Sequence, residues 1–297
     1  GEGLEMASLA RRTQGWGRLR NRAECLVRGW PLSCGDYERA ALEAGLRRAV
    51  EGSWLRGEPI DLIVFEMFWT LLAAPARLPA PSLLFPVDAY SLYWNRMGGA
   101  AAGWADRWRA RYLESACRKL EHSAYGRAGR IVTVARADAG ALQAACPGIP
   151  VSVVPVPLLR QPKAACFSPG RPPRILVGGY FHTPSIAADT RRFLAALAGR
   201  DFAAEILVWG RGARRAGLEP VAQRAGASVV EWVEDPIGFL AEAQVYVYPQ
   251  RFACGIQTKI QEALAAGLCV VAGEPVLTPL GAEAGVDAVR ADSPEEA

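Results

Sequence analysis

The sequence predicts an α/β fold in which parallel sheets carry helices on both sides. Short apolar runs alternate with segments of helical periodicity through the second half of the chain, and less regularly through the first half. A strand, a helix and a further strand at this spacing form a crossover unit, which pairs its strands in parallel. The 297 residues, 51% hydrophobic and 22% charged, are enough for two globular domains.

In the first half, four short apolar runs predict strands at 59–65, 82–86, 130–134 and 151–154. Segments of helical periodicity lie among them. These segments predict helices at 35–56, 101–127 and 137–145.

The second half alternates more strictly between the two patterns. Its apolar runs predict strands at 174–178, 205–210, 228–233, 244–248, 268–272 and near 287–289. The segments between them predict helices at 184–197, 221–225, 236–243 and 255–267. In such sheets ligands bind beyond the carboxyl ends of the strands.

Residues 158–173 (LLRQPKAACFSPGRPP) are rich in proline and in small and polar residues. This composition is typical of a linker between domains. The sequence therefore predicts two Rossmann-like domains, at 1–160 and at 165–297.

Composition limits the chemistry that the chain can carry. Seven cysteines form an odd set without C-x-x-C or similar spacing, which argues against a disulfide framework and a zinc site. A reducing, cytoplasmic setting is the simplest interpretation. His122 and His182 are the only histidines, so a metal site with several histidine ligands is not expected. No window approaches about 18 uninterrupted apolar residues, and no membrane-spanning helix is expected.

Charge is spread unevenly along the chain. Residues 1–165 contain 22 Lys and Arg against 15 Asp and Glu, whereas residues 166–297 contain 12 against 15. A basic first half favours an anionic partner, such as a membrane face or a phosphorylated lipid. Arginines on solvated helix faces are the alternative. Nucleic acid is not expected, because the chain has three lysines and no known binding module.

The segment 104–119 is the most basic and aromatic part of this half. It is predicted to be helical and carries Trp104, Trp108, Arg107, Arg111 and Arg118. Such a helix can lie on anionic lipid, which predicts a peripheral contact with the inner face of the membrane. Packing of the tryptophans in the protein, beside a solvated arginine face, is the alternative.

The most informative pattern follows the strand predicted at 244–248. Pro249 stops that strand, and Gly255 begins the predicted helix 255–267. The free N–H groups and the dipole at the start of a helix attract an anion, and Gly255 leaves room for a ligand. Lys259, one of three lysines against 31 arginines, lies about one turn into this predicted helix. A compact point charge is suited to binding phosphate.

Two further charged residues flank Lys259. Arg251 lies on the preceding loop, and Glu262 lies three residues after Lys259 on the same helix face. A carboxylate at this place can accept hydrogen bonds from both hydroxyls of a ribose. The pattern therefore indicates a site for a sugar nucleotide. A solvated Lys–Glu pair on an amphipathic helix is the alternative.

This stretch closely resembles the motif of family 4 glycosyltransferases of the GT-B fold. The relevant branch reads roughly Pro-Leu-Arg-x-Gly-x-Gly-x-x-x-Lys-x-x-Glu-Ala-x-Ala-x-Gly-x-Pro-Val-Val-Ala. The matching positions are Pro249, Arg251, Gly255, Lys259, Glu262, Ala263, Ala265, Gly267, Val270, Val271 and Ala272. Supporting similarities lie at 177–188, 208–210, 233–235, 285–297 and 85–91, and at Glu114, Glu121, Asp138 and Leu142.

The resemblance implies two Rossmann-like domains that face a cleft. It implies transfer of a sugar from a UDP- or GDP-linked donor to a glycan, lipid-linked or small-molecule acceptor, with retention of configuration and without a metal or other cofactor. The implied contacts are Arg251, Gly255, Lys259, Gly178 and Gly179 for the donor diphosphate, Glu262 for the ribose, and Val233 and Asp235 for the base. Asp235 has a second interpretation, as the cap of the helix that begins at Pro236.

The chain also departs from the family pattern. Many members carry a Glu that touches the donor sugar, and this position is Cys254, which has no carboxylate. The family's first strand would precede Gly1 and its closing helices would follow Ala297, so the resemblance predicts a fragment lacking both ends. A sugar-nucleotide epimerase of GT-B fold and a non-catalytic sugar-nucleotide-binding subunit are the alternative functions.

In the first half, Asp88 is the catalytic candidate. It follows an apolar strand, at the carboxyl end where a side chain can face a ligand. We expect it to orient an acceptor hydroxyl. The alternative is an Asp that caps a turn.

Overall fold

The computed structural model describes residues 15–36, 39–55, 57, 60–72, 74, 77–101, 103–158, 163–165 and 172–297. Of the predicted linker 158–173, residues 159–162 and 166–171 therefore lie outside the described residues, as does residue 59 of the first predicted strand. The chain divides into two compact units, Gly1–Pro155 and Val156–Ala297. Among these described residues each unit contains one sheet, and all the strand pairs are parallel. The predicted α/β class is confirmed.

The first unit has a four-stranded sheet, β1 Ile63–Glu66, β2 Ser82–Val87, β3 Arg130–Thr133 and β4 Val151–Val153, in that order. Its helices are α1 Gly15–Arg28, α2 Arg39–Leu55, α3 Phe68–Leu72, α4 Tyr90–Ala100, α5 Trp104–Ala124 and α6 Arg136–Ala145. Leu84 of β2 and Ile131 of β3 are fully buried, and they share one core with Leu120 of α5 and Leu142 of α6. Burial of these apolar side chains holds the helices against the sheet.

Three of the helices described in this unit were not predicted from the sequence, α1, α3 and α4. The predicted helix 101–127 corresponds to α5 followed by a short turn, Tyr125–Arg127. The segment of α4 contains aromatic residues and the pair Gly98-Gly99, which have low helix propensity. Packing supplies the stability, because a Cβ on Gly98 would lie 3.2 Å from Cβ of Ala110 in α5.

The second unit has a six-stranded sheet. Its strands are β5 Arg174–Gly178, β6 Glu205–Trp209, β7 Ala227–Val230, β8 Val245–Tyr248, β9 Cys269–Ala272 and β10 Ala288–Arg290. Its helices are α7 Pro184–Leu197, α8 Glu219–Arg224, α9 Pro236–Ala241, α10 Thr258–Ala265 and α11 Glu274–Leu277. The strand order is β10-β9-β8-β5-β6-β7.

Helices cover both faces of this sheet. Leu176 and Val177 are neighbours on β5, yet they belong to two different cores because successive side chains of a strand point to opposite faces. The core around Leu176 includes Ile260 of α10. The core around Val177 includes Phe193 of α7 and Val221 of α8. The unit is therefore doubly wound, as the alternation in the sequence predicts.

The wrong boundary that affects the motif is the start of the helix that carries Lys259. The predicted helix 255–267 begins three residues later, at Thr258, and ends at Ala265. Gly255 has a φ of +62°, a left-handed conformation that a helix does not contain. Gln257 is extended and is the residue that precedes the first helical turn. Gly255 thus belongs to the loop, and Lys259 is the second residue of α10 rather than a full turn into the helix.

Candidate functional site

The strand order locates the place in the second unit where a ligand can bind. β5 pairs with β6 on one side and with β8 on the other. The chain builds outward through β6 and β7 and then returns to β8, so the connections after β5 and β8 leave on opposite faces of the sheet. A crevice opens between the carboxyl ends of two such strands. Gly178 ends β5, and Tyr248 ends β8 immediately before the motif.

The loop between β8 and α10 is held by its own side chains. The carboxamide of Gln257 donates a hydrogen bond to the carbonyl oxygen of Cys254 at 3.0 Å and accepts one from the Tyr248 hydroxyl at 3.2 Å. Cys254 and Gly255 are buried. The loop therefore has a defined shape before any ligand binds.

Lys259 lies in the first turn of α10, and its Nζ is 5.0 Å from the centroid of the Trp209 ring. Burial lowers its pKa, the Glu262 carboxylate opposes this, and the charge of Arg211 lowers the pKa further. Within the part of the chain that the structure describes, Lys259 forms no ion pair. A partly buried ammonium on an indole face, at a helix start, is suited to an anionic ligand.

The position of the Lys259 side chain argues against the alternative interpretation of the motif, a solvated Lys–Glu pair. A solvated Lys–Glu pair would place both side chains in water and in contact with each other. Lys259 instead packs on Trp209, and no ion pair joins it to Glu262 among the described residues. The structure also adds Arg211, in the turn after β6, which sequence analysis did not single out.

Arg251 is held by a residue that sequence analysis missed. Its Nε donates to Oδ1 of Asp189 at 2.9 Å, and its backbone N–H donates to Oδ2 at 3.3 Å. Asp189 lies on α7, and its side chain is 1% exposed. The structure thus groups Lys259 with Glu262 and Arg211, whereas Arg251 pairs with Asp189.

The glycines after β5 allow close packing. A Cβ on Gly178 would lie 1.7 Å from the Tyr246 hydroxyl oxygen, and one on Gly179 would lie 2.6 Å from the Phe181 ring. The N–H of Gly179 donates to the carbonyl oxygen of Trp209 at 3.2 Å. The Tyr246 hydroxyl is buried without a hydrogen-bond partner among the described residues, and its pKa is raised by burial, then by Tyr248 and Glu262. Glycine is therefore needed here for packing, whatever ligand binds.

Asp235 caps α9, as one of its two interpretations predicted. Its carboxylate accepts a hydrogen bond from the N–H of Gly238 at 3.0 Å and pairs with Lys163 at 3.2 Å. The bond from Gly238, and then Lys163, hold the pKa of Asp235 below its ordinary value. Val233 is half-buried two residues earlier.

Asp88 in the first unit does not cap the helix that follows it. The residue before α4 is Ala89, and the Asp138 carboxylate accepts its N–H at 2.8 Å. Among the described residues no N–H donates to the Asp88 carboxylate, and the N–H of Ser91 donates instead to Glu121 at 2.9 Å, which argues against the turn-capping alternative. Burial and the charge of Asp138 raise the pKa of Asp88 to about 6. Val87 has a φ of +72°, a strained conformation for a β-branched residue, and strain of this kind often accompanies functional sites.

The helix α5 presents its aromatic residues to the surface of the first unit. Trp104 is 82% exposed and Trp108 is 69% exposed, and the Trp108 ring stacks on Tyr112 with centroids 6.2 Å apart. Arg111 and Arg118 lie on the same exposed face. The alternative, in which the tryptophans pack in the protein interior, is therefore wrong for Trp104 and Trp108. Among the described residues, no helix has the length and apolar character to cross a membrane.

Solved structures share this fold. Sucrose-phosphate synthase from Thermosynechococcus elongatus superposes with a TM-score of 0.60 at 15% identity, over 80% of this chain and 61% of that chain. HepE from Anabaena, in complex with UDP and glucose, gives 0.60 at 14% identity, over 86% and 69%. A glycosyltransferase from Rickettsia africae gives 0.58 at 13% identity, over 86% and 69%. The fold is that of the GT-B glycosyltransferases.

The sequence of the second unit points to the same class. Residues 175–296 match the family model for glycosyl transferases group 1. No curated protein matches the chain. The fold and the group 1 match together support a glycosyltransferase. The chain spans 61% of the synthase that it resembles.

Proposed function

We propose that the protein transfers a sugar from a UDP- or GDP-linked donor to a glycan, lipid-linked or small-molecule acceptor, with retention of configuration, as family 4 glycosyltransferases do. Lys259 carries the proposal. It is a partly buried cation, unpaired among the described residues, in the first turn of α10 beside the crevice that the strand order defines. The fold of HepE, which is in complex with UDP and glucose, supports the same class of donor.

Charge stabilisation is the main chemical task of this site. Lys259 and Arg251 bind the diphosphate and stabilise the negative charge that develops on it as the sugar leaves. Arg211 adds positive potential next to Lys259. Glu262, on the same face of α10, accepts hydrogen bonds from the ribose hydroxyls. No metal ion or other cofactor is part of this mechanism.

The remaining contacts depend on the backbone. Gly255 has no side chain, which permits close approach of the diphosphate, and Gly178 and Gly179 border it through their backbone at the carboxyl end of β5. Val233 and the backbone near Asp235 border the base. Cys254 occupies the place beside the donor sugar, where its thiol offers a weak contact in place of a carboxylate.

Asp88 is proposed to bind the acceptor. Its raised pKa and the strained residue before it set it apart from an ordinary surface carboxylate. Its carboxylate orients the attacking hydroxyl of the acceptor.

The exposed face of α5 is proposed to attach the protein to an anionic lipid surface on the cytoplasmic side of the membrane. Trp104 and Trp108 provide apolar area, and Arg111 and Arg118 provide charge complementary to the lipid headgroups. A lipid-linked acceptor would be within reach of a protein bound in this way.

The proposed function is tested by incubating the protein with UDP- and GDP-sugars and following nucleotide release, sugar release and the anomer formed. Release or transfer with retained configuration supports the proposal. Binding without release would identify a non-catalytic subunit, and an epimerised sugar nucleotide would identify an epimerase. Absence of nucleotide binding would contradict all three.

A further inference from the structure

The loop that follows β8 is fastened to α7 by two consecutive residues. The carboxamide nitrogen of Gln250 donates to the carbonyl oxygen of Ile186 at 3.3 Å. The next residue, Arg251, donates both its backbone N–H and its Nε to Asp189. Since α7 follows β5, these bonds connect the two elements that border the crevice between β5 and β8.

The pair between Arg251 and Asp189 is unequally buried. The side chain of Asp189 is 1% exposed, whereas that of Arg251 is 28% exposed. A buried carboxylate is costly unless it is paired, and among the described residues Arg251 donates both hydrogen bonds that the Asp189 carboxylate accepts. Because the pair offsets the cost of burying the Asp189 carboxylate, it holds Arg251 in one position.

The two terminal nitrogens of the Arg251 guanidinium do not contact Asp189 and are available to a ligand. Asp189 occupies Nε alone, and a guanidinium has four further N–H groups on its two terminal nitrogens. These nitrogens have no partner among the residues that the structure describes. A planar fork held at one edge can present the other edge to a phosphate through two parallel hydrogen bonds.

We propose that Asp189 is a positioning residue, which fixes Arg251 so that its terminal nitrogens bind the donor diphosphate. The inference rests on the proposed function. Asp189 itself does not touch the ligand, because it is buried beneath Arg251 on α7. The alternative is that Asp189 only neutralises the positive charge of Arg251. In that case the ion pair would weaken diphosphate binding.

The test is a double-mutant cycle, measured by calorimetric titration with UDP or GDP, whichever binds more tightly, and with its nucleoside. Asp189→Asn, Arg251→Ala and the double variant are compared with the unaltered protein. Asp189→Asn should weaken diphosphate binding about tenfold and leave nucleoside binding unchanged. In the Arg251→Ala background it should have no further effect, because Asp189 acts through Arg251.

Equal losses from Asp189→Asn with and without Arg251, or tighter diphosphate binding, would overturn the inference. If Asp189→Asn does not fold, Arg251→Lys decides the question. It keeps the charge but not the fork, so it should bind the diphosphate as weakly as Arg251→Ala, and unaltered affinity would overturn the inference. If the unaltered protein binds no nucleoside diphosphate, the proposed function fails. If it binds one through Lys259 and Asp189→Asn has no effect, this inference fails alone.

Discussion

A Cβ atom on Gly178 would lie 1.7 Å from the hydroxyl oxygen of Tyr246, and 2.2 Å from the ring carbon that carries it. Tyr246 is fully buried on β8, so its ring cannot move into solvent to make room. The carboxyl end of β5 is thus formed by direct contact between a glycine and a neighbouring aromatic side chain. This contact sets one wall of the crevice in which the proposed donor binds.

Gly178→Ala should therefore destabilise the second unit by about 1–3 kcal/mol or more, because overpacking a rigid core forces side chains and backbone to shift. The matched control is Gly140→Ala on α6, where an added Cβ meets nothing within 4 Å. That change should stabilise the protein by up to about 1 kcal/mol, because alanine favours a helix over glycine. Urea unfolding measures both free energies, and equal effects of the two substitutions would contradict the packing argument.

Asp88 should make the stability of the first unit depend on pH. Its pKa is raised from 3.8 to about 6, so between these values the folded state binds more protons than the unfolded state. Stability therefore falls as pH rises through this window, and the penalty is complete above about pH 6. Asp88→Asn should be more stable than the unaltered protein by up to about 3 kcal/mol at pH 8, with little difference near pH 4.

The control for this prediction is Asp61→Asn, which changes an exposed carboxylate of the same unit. Unfolding free energies are compared between pH 4 and pH 8, and the difference from the unaltered protein is plotted for each variant. If the difference in unfolding free energy between Asp88→Asn and the unaltered protein did not change with pH, the raised pKa of Asp88 would be ruled out. The same pH dependence for Asp61→Asn would rule it out as well.

The exposed face of α5 should bind anionic vesicles. Co-sedimentation with vesicles containing phosphatidylglycerol should exceed that with phosphatidylcholine alone, and should decrease with salt because part of the attraction is electrostatic. Trp104→Ala combined with Trp108→Ala should reduce binding severalfold. Trp232→Ala removes a tryptophan that is 65% exposed in the second unit, and it should change nothing. An equal loss with Trp232→Ala would show that tryptophan removal acts nonspecifically.

The strands of the second unit could be predicted from the sequence because their apolar runs are short and separated by helical segments. The start of α10 could not, since the left-handed conformation of Gly255 is a property of the folded loop rather than of the residue pattern. Asp189 was missed for a related reason. Its partner Arg251 is 62 residues away, and a single Asp in a helix carries no local sign of such a pair.

The packing of Lys259 on Trp209 likewise could not be predicted from the sequence. The spacing of Lys259 and Glu262 predicts a shared helix face, but it is equally compatible with a solvated pair. Only the tertiary structure places the Trp209 ring beneath the ammonium and Arg211 near it. For the same reason α4 was missed, because its stability depends on packing against α5 rather than on helix propensity.

The most direct test of the donor site is a calorimetric titration of Lys259→Ala with a nucleoside diphosphate and with its nucleoside. We expect a loss of at least tenfold in affinity for UDP or GDP, with little change for uridine or guanosine, because only the diphosphate contacts the ammonium. Arg200→Ala, which removes an exposed cation beyond the far end of α7, should bind both ligands as the unaltered protein does. An equal loss for diphosphate and nucleoside would show that Lys259 is structural and would contradict the account.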